Sequence, residues 1–176
     1  MKKRVVYDIE ANGLLDTISM IHCVSYKVED EPIKSIVDYD EIEEFFQKDY
    51  IFIGHNIIRY DMPAISKILK IDTEDKEVID TLGLSYYLHN YRKKHGLESW
   101  SSFTGVEKPE IKDWENLDVE DYIHRCEQDV ENNYRLWKHF DAYLNKLYLN
   151  ENSKKSLISY TNFKLECLKE QEEVGI

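Results

Sequence analysis

A chain of 176 residues is long enough for one domain with its own core, and a hydrophobic fraction of 42% with thirteen tyrosines excludes a mostly disordered chain. No apolar run approaches the ~18 residues of a membrane span. The start, Met1-Lys2-Lys3-Arg4-Val5-Val6, leads straight to Asp8 without the apolar stretch of a secretory signal, so a cytoplasmic protein is expected. A net charge of −12 argues against a broad phosphate-binding surface, so any nucleic acid would be gripped locally or through bound metal.

In chain order, residues 4–9 are apolar and β-branched, Asn12-Gly13 supplies turn chemistry, and residues 18–28 read as a second strand, which predicts an N-terminal hairpin. A short strand around Ile33–Val37 precedes Asp40, a predicted cap for a helix bearing Ile42, Phe45 and Phe46, and a strand over Tyr50–Ile53 follows. From Tyr60 to Leu69 the residues Met62, Ile65, Ile68 and Leu69 share one helical face, which puts Asp61 at the helix start, and Val78–Ile79 gives a fifth strand. Helices are predicted over Leu82–Leu88, over Leu97–Phe103, and from a capping Asp118 to Tyr148. Ser156–Glu173 is amphipathic. The expected organisation is an α/β domain over residues 1–150 and a C-terminal helix over 151–176 that begins a linker toward a further module. Cys23, Cys126 and Cys167 have neither disulfide nor zinc spacing.

Asp8 and Glu10 lie two apart in an apolar strand, so both leave one face while Tyr7 and Ile9 leave the other. Carboxylates ~4 Å apart repel by about 4 kcal/mol even at an effective dielectric of about 20, and a divalent cation reverses that sign. A solvated strand end would also place two acids so. In Gly54-His55-Asn56-Ile57-Ile58-Arg59-Tyr60-Asp61 a strand ends in a polar turn and an acid starts the next helix, where α/β proteins commonly keep active-site residues. Asp129 adjoins the apolar stripe of the long helix, which runs through Ile123, Cys126, Val130, Trp137 and Phe140, and a carboxylate there needs a partner or a metal.

The ordered motifs D-x-E, N-x-x-x-Y-D and a late helical Q-D-V resemble the DnaQ-like DEDD 3′→5′ exonucleases of the ribonuclease-H-like fold. The likeness extends through Asp8-Ile9-Glu10-Ala11-Asn12-Gly13-Leu14-Leu15, Ile79-Asp80-Thr81-Leu82 and His95-Gly96-Leu97-Glu98-Ser99-Trp100 to the proofreading domains of family A polymerases from short-tailed phages. That resemblance implies a mixed five-stranded sheet with its first three strands antiparallel, the Asp8 strand central and helices on both sides. It implies that Asp8, Glu10 and Asp129 ligate two Mg²⁺ or Mn²⁺ ions, that Asp61 holds the second largely through water, and that Leu14 and Asn56 contact the strand's 3′ end. Oxygen ligands suit those ions.

The residue that orients the attacking water is a departure. Nucleases of this class carry a tyrosine four residues before the last aspartate or a histidine five before it, and this chain has Arg125 and His124 there. On a continuous helix His124 would sit about 140° from Asp129 and point away, whereas a break near Arg125 would turn it inward. Histidine can act as a base near neutral pH, while arginine stays protonated and can stabilise only phosphate charge. Arg59, Lys67 and the run Arg92-Lys93-Lys94-His95 would line the strand's path, or stand in solvent as ordinary loop charge. Three functions fit these residues. The first is a DNA exonuclease working on single-stranded or frayed 3′ ends beside a polymerase module. The second is an exoribonuclease of the same fold, and the third a silent domain that binds a DNA end or a polymerase.

Overall fold

The computed structural model describes residues 1–107, 109, 116–148 and 150–175. Its strands are β1 (Arg4–Ala11), β2 (Ile21–Val28), β3 (Lys34–Ile36), β4 (Ile51–Gly54) and β5 (Glu77–Asp80), and they form one sheet in the order β3-β2-β1-β4-β5. β1 is therefore central. It pairs antiparallel with β2 and parallel with β4, β2 and β3 pair antiparallel, and β4 and β5 pair parallel, which is the mixed sheet expected.

The helices are α1 (Tyr39–Gln47), α2 (Asp61–Leu69), α3 (Thr81–Leu88), α4 (Ser101–Thr104, preceded by a 3₁₀ turn over Leu97–Trp100), α5 (Val119–Leu147) and α6 (Glu151–Glu173). Two apolar layers follow from the alternation along the strands. Val5, Tyr7, Ile9 and Phe52 join Ile42, Phe45 and Phe46 of α1 and Met62, Ala64 and Ile65 of α2. Val6, Ile53 and Ile79, one residue out of phase, join Leu84, Trp100, Leu157 of α6, and Val130, Leu136, Trp137, Phe140 and Leu144 of α5. α6 packs across β5 and α3, with the Asn162 amide donating to the Val78 carbonyl at 2.8 Å.

Two local expectations shift. The cap of α1 is Asp38, whose side chain accepts from the amides of Asp40 and Glu41, so Asp40 lies inside the first turn. The β1–β2 connection is a loop over residues 12–20, longer than a two-residue turn. Asn12 closes it by accepting from the amides of Ser19 and Met20, each at 3.0 Å, so its side chain does work that the Asn12-Gly13 pair suggested for the backbone. Asp118 caps α5 as expected, in a reciprocal box with Asp121.

Candidate metal centre

The C-terminal end of β1 meets α5 at the register shift between Glu10 and Ala11, a local irregularity of the kind that re-aims side chains beside active sites. Asp8, Glu10 and Asp129 each offer a carboxylate oxygen there, and the three oxygens lie within 4.8 Å of one another. Cys126, one turn before Asp129, sets its thiol 3.1 Å from the Asp8 carbonyl and 3.6 Å from Asp8 Oδ2. Burial pushes that thiol's pKa well up, so it docks α5 on β1 as a protonated, small apolar group.

Asp61 starts α2 and is buried, outside the spacing of the three-acid group. Burial raises its pKa to about 8, with Asp80 and then Glu10 adding repulsion, while the amides of Asp61 itself and Ile9 act in the opposite direction. Asp80 is fully buried and caps α3 through the Leu82 amide at 2.9 Å. It also accepts from the amides of Asn56 at 2.8 Å and Ile58 at 3.0 Å, so this one carboxylate ties the loop after β4 to the end of β5. Burial still lifts its pKa to about 6 against those three donors. The capping role suits an acid that ends a strand directly before the helix starting at Thr81, as the sequence has it. The loop-anchoring role had no signal in it, because it depends on two parallel strands ending side by side.

That loop is tightly specified. A Cβ on Gly54 would fall 2.1 Å from Ile57 Cγ2, so only glycine fits where the chain folds back. Asn56 takes a left-handed φ of 66°, and its Oδ1 is buried with no hydrogen-bond partner among the described residues. His55 spans the Thr81 hydroxyl and the His95 carbonyl, each at 2.9 Å, and burial lowers its pKa to about 4.

The other sequence-predicted residues divide. Leu14 stands 74% exposed on the loop after β1, available for contact. Arg125 reaches the acids, its Nε donating to Glu10 Oε1 at 3.2 Å. α5 runs unbroken through that point and His124 is exposed, so the turn inward that a helix break would have allowed does not occur. Arg59 pairs with Glu172 of α6, and Lys67 donates to the carbonyls of Leu15 at 2.8 Å and Asp16 at 3.1 Å, so both brace the molecule internally. Arg92 lies over Trp100 and donates to the Ser99 carbonyl at 2.7 Å, and His95 is buried against Ser85, which leaves Lys93 and Lys94 as the exposed part of the basic run.

No protein-family model matches the chain. It is 28% identical to the DNA-directed DNA polymerase of Escherichia phage T7 and 29% identical to that of Enterobacteria phage T3, in each case over 62% of this chain and 20% of the polymerase. The chain thus spans about one fifth of the length of these relatives. In structure it is similar to Brucella melitensis NrnC bound to pGG, with TM-score 0.72, 18% identity, and coverage of 99% of this chain and 87% of NrnC. NrnC with bound Mg²⁺ aligns at TM-score 0.69 over 95% and 85%. The resemblance to the DnaQ-like exonucleases is borne out. Among the described residues no helix is long and apolar enough to cross a membrane.

Proposed function

We propose that this DnaQ-like domain is a divalent-metal-dependent 3′→5′ exonuclease that trims single-stranded or frayed DNA to nucleoside 5′-monophosphates. The observation that carries the proposal is the convergence of Asp8 and Glu10 from β1 with Asp129 from α5, residues far apart in sequence, onto oxygens within 4.8 Å of one another. Acids so close would repel, and a set of oxygen donors alone fits Mg²⁺ or Mn²⁺. When bound, two such ions would supply an activated water and stabilise the leaving 3′ oxygen.

The chain's own groups have separable tasks in this reading. Asp8, Glu10 and Asp129 hold the cations. Asp61, whose buried carboxyl favours its protonated form, joins them as cations offset the repulsion from Glu10 and Asp80. Leu14 and the buried Oδ1 of Asn56 receive the terminal nucleotide, the first by apolar contact and the second by accepting a hydrogen bond. His124, exposed on an unbroken helix, takes no part, and the water is oriented by the metal ligands alone.

The test is a time course on a 5′-labelled single strand with Mg²⁺, Mn²⁺ or chelator. A stepwise ladder is expected with either metal and not with chelator, and its absence in all three overturns the proposal. A second reading, an exoribonuclease acting on short RNA, is favoured by the near full-length match to NrnC, a structure of which holds pGG. Matched DNA and RNA oligonucleotides of two to eight nucleotides separate the two. The likeness to part of a phage polymerase supports work beside a polymerase module.

A further inference from the structure

Resting on the metal-centre reading above, we propose that Arg125 is the resident counter-cation of this centre. Its guanidinium holds Glu10 until a divalent cation takes that carboxylate from it, so Arg125 sets the cation concentration at which the site loads.

The placement follows from helix geometry. Arg125 precedes Asp129 by four residues on a continuous α5, about 40° around the axis, so both side chains leave the same face toward β1. Arg125 Nε lies 3.2 Å from Glu10 Oε1, and only 13% and 15% of the two side chains is exposed. Water screens this pair far less than a surface ion pair, so its attraction is retained.

Competition follows from the charge. Three carboxylates with oxygens within 4.8 Å of one another call for positive charge, and a guanidinium one turn from Asp129 supplies part of it. A tyrosine in this place would add no charge and leave Glu10 to the cation. Arginine cannot yield by losing a proton, because its pKa lies above ~12. It yields by swinging its side chain, since the Cys126 contact with Asp8 pins the helix beneath it.

The test is calorimetric titration of the metal-free chain with Mn²⁺, without nucleic acid, for wild type, R125Q and R125K. R125Q is expected to bind Mn²⁺ about tenfold more tightly, and R125K, which keeps the charge, to stay near wild type. A purely structural role would weaken binding in both. Equal or weaker binding by R125Q overturns the proposal. A second measurement needs no variant: in the ¹⁵N-labelled wild type, the Arg125 Nε–H resonance should shift as Mg²⁺ saturates the site, and a resonance that stays put also overturns it. If no form binds Mn²⁺, this proposal falls together with the metal-centre reading. Normal binding and competition without hydrolysis would leave Arg125 as the counter-cation and sink only the nuclease activity.

Discussion

The two faces of β1 carry different chemistry within one eight-residue strand. Val5, Tyr7 and Ile9 are sealed against α1 and α2. On the other face Val6 is as deeply buried, under α5, but Asp8 and Glu10 follow it and are only partly covered. α5 accounts for the change. From Asp129 to Trp137 it climbs ~12 Å, and β1 covers a similar ~13 Å from Val6 to Glu10. The helix therefore lays Trp137 and Phe140 over the apolar end of the strand and Asp129 over the acidic end. A single packed pair builds core at one end and gathers three carboxylates at the other.

The largest effect comes from breaking the acidic end. Asp8→Ala leaves Glu10 and Asp129 without their third carboxylate, and turnover on single-stranded DNA is expected to fall by ~10³-fold or more, about 4 kcal/mol of transition-state stabilisation. Thermal stability should change little, because the apolar end of the β1–α5 contact is untouched. Residual turnover above one tenth of wild type would mean that Asp8 is not a ligand.

A smaller effect lies in the loop after β4, which His55 fastens to Thr81 at the start of α3 and to the His95 carbonyl. His55 is buried and neutral, with a folded pKa of about 4 against ~6.5 unfolded. The unfolded chain binds the extra proton first, so stability present above pH ~6.5 is lost as pH falls toward 4, by about 3 kcal/mol in total. Asp80 and Asp61, with raised pKa values, slope the other way. The difference between wild type and H55Q in urea unfolding from pH 7 to 4 isolates the histidine. Parallel curves for the two would refute the shift.

Much of this was legible in the sequence because it depends on period. The two-residue spacing put Asp8 and Glu10 on one face, helical spacing located α2 and α5, and the offset of five residues turned His124 away once α5 proved continuous. What was not legible depends on partners distant in sequence. Arg59 and Lys67 read as free cations for a nucleic acid, yet one meets Glu172 and the other the carbonyls of the loop after β1. Asp80 anchors the loop after β4 only because β4 and β5 run parallel and end together. Arg125 carried a weak signal, the angle of about 40° from Asp129, but its partner Glu10 lies on another element.

The smallest effect tests the sealed face. Tyr7 packs edge-on against Phe45, Phe46 and Phe52, and its hydroxyl is buried with no hydrogen-bond partner among the described residues. Burial, with Asp61, Asp80 and Asp8 adding repulsion, holds that hydroxyl's pKa well above the ordinary tyrosine value, so it stays neutral. An unpartnered buried hydroxyl costs about 1–3 kcal/mol, and Tyr7→Phe keeps the ring while removing it. The variant is expected to raise the urea midpoint by an amount equivalent to about 1 kcal/mol, with nuclease turnover unchanged. A loss of stability instead would show that the hydroxyl donates to a neighbour such as Asp61, and that the polar chemistry of the site reaches through the strand to its apolar face.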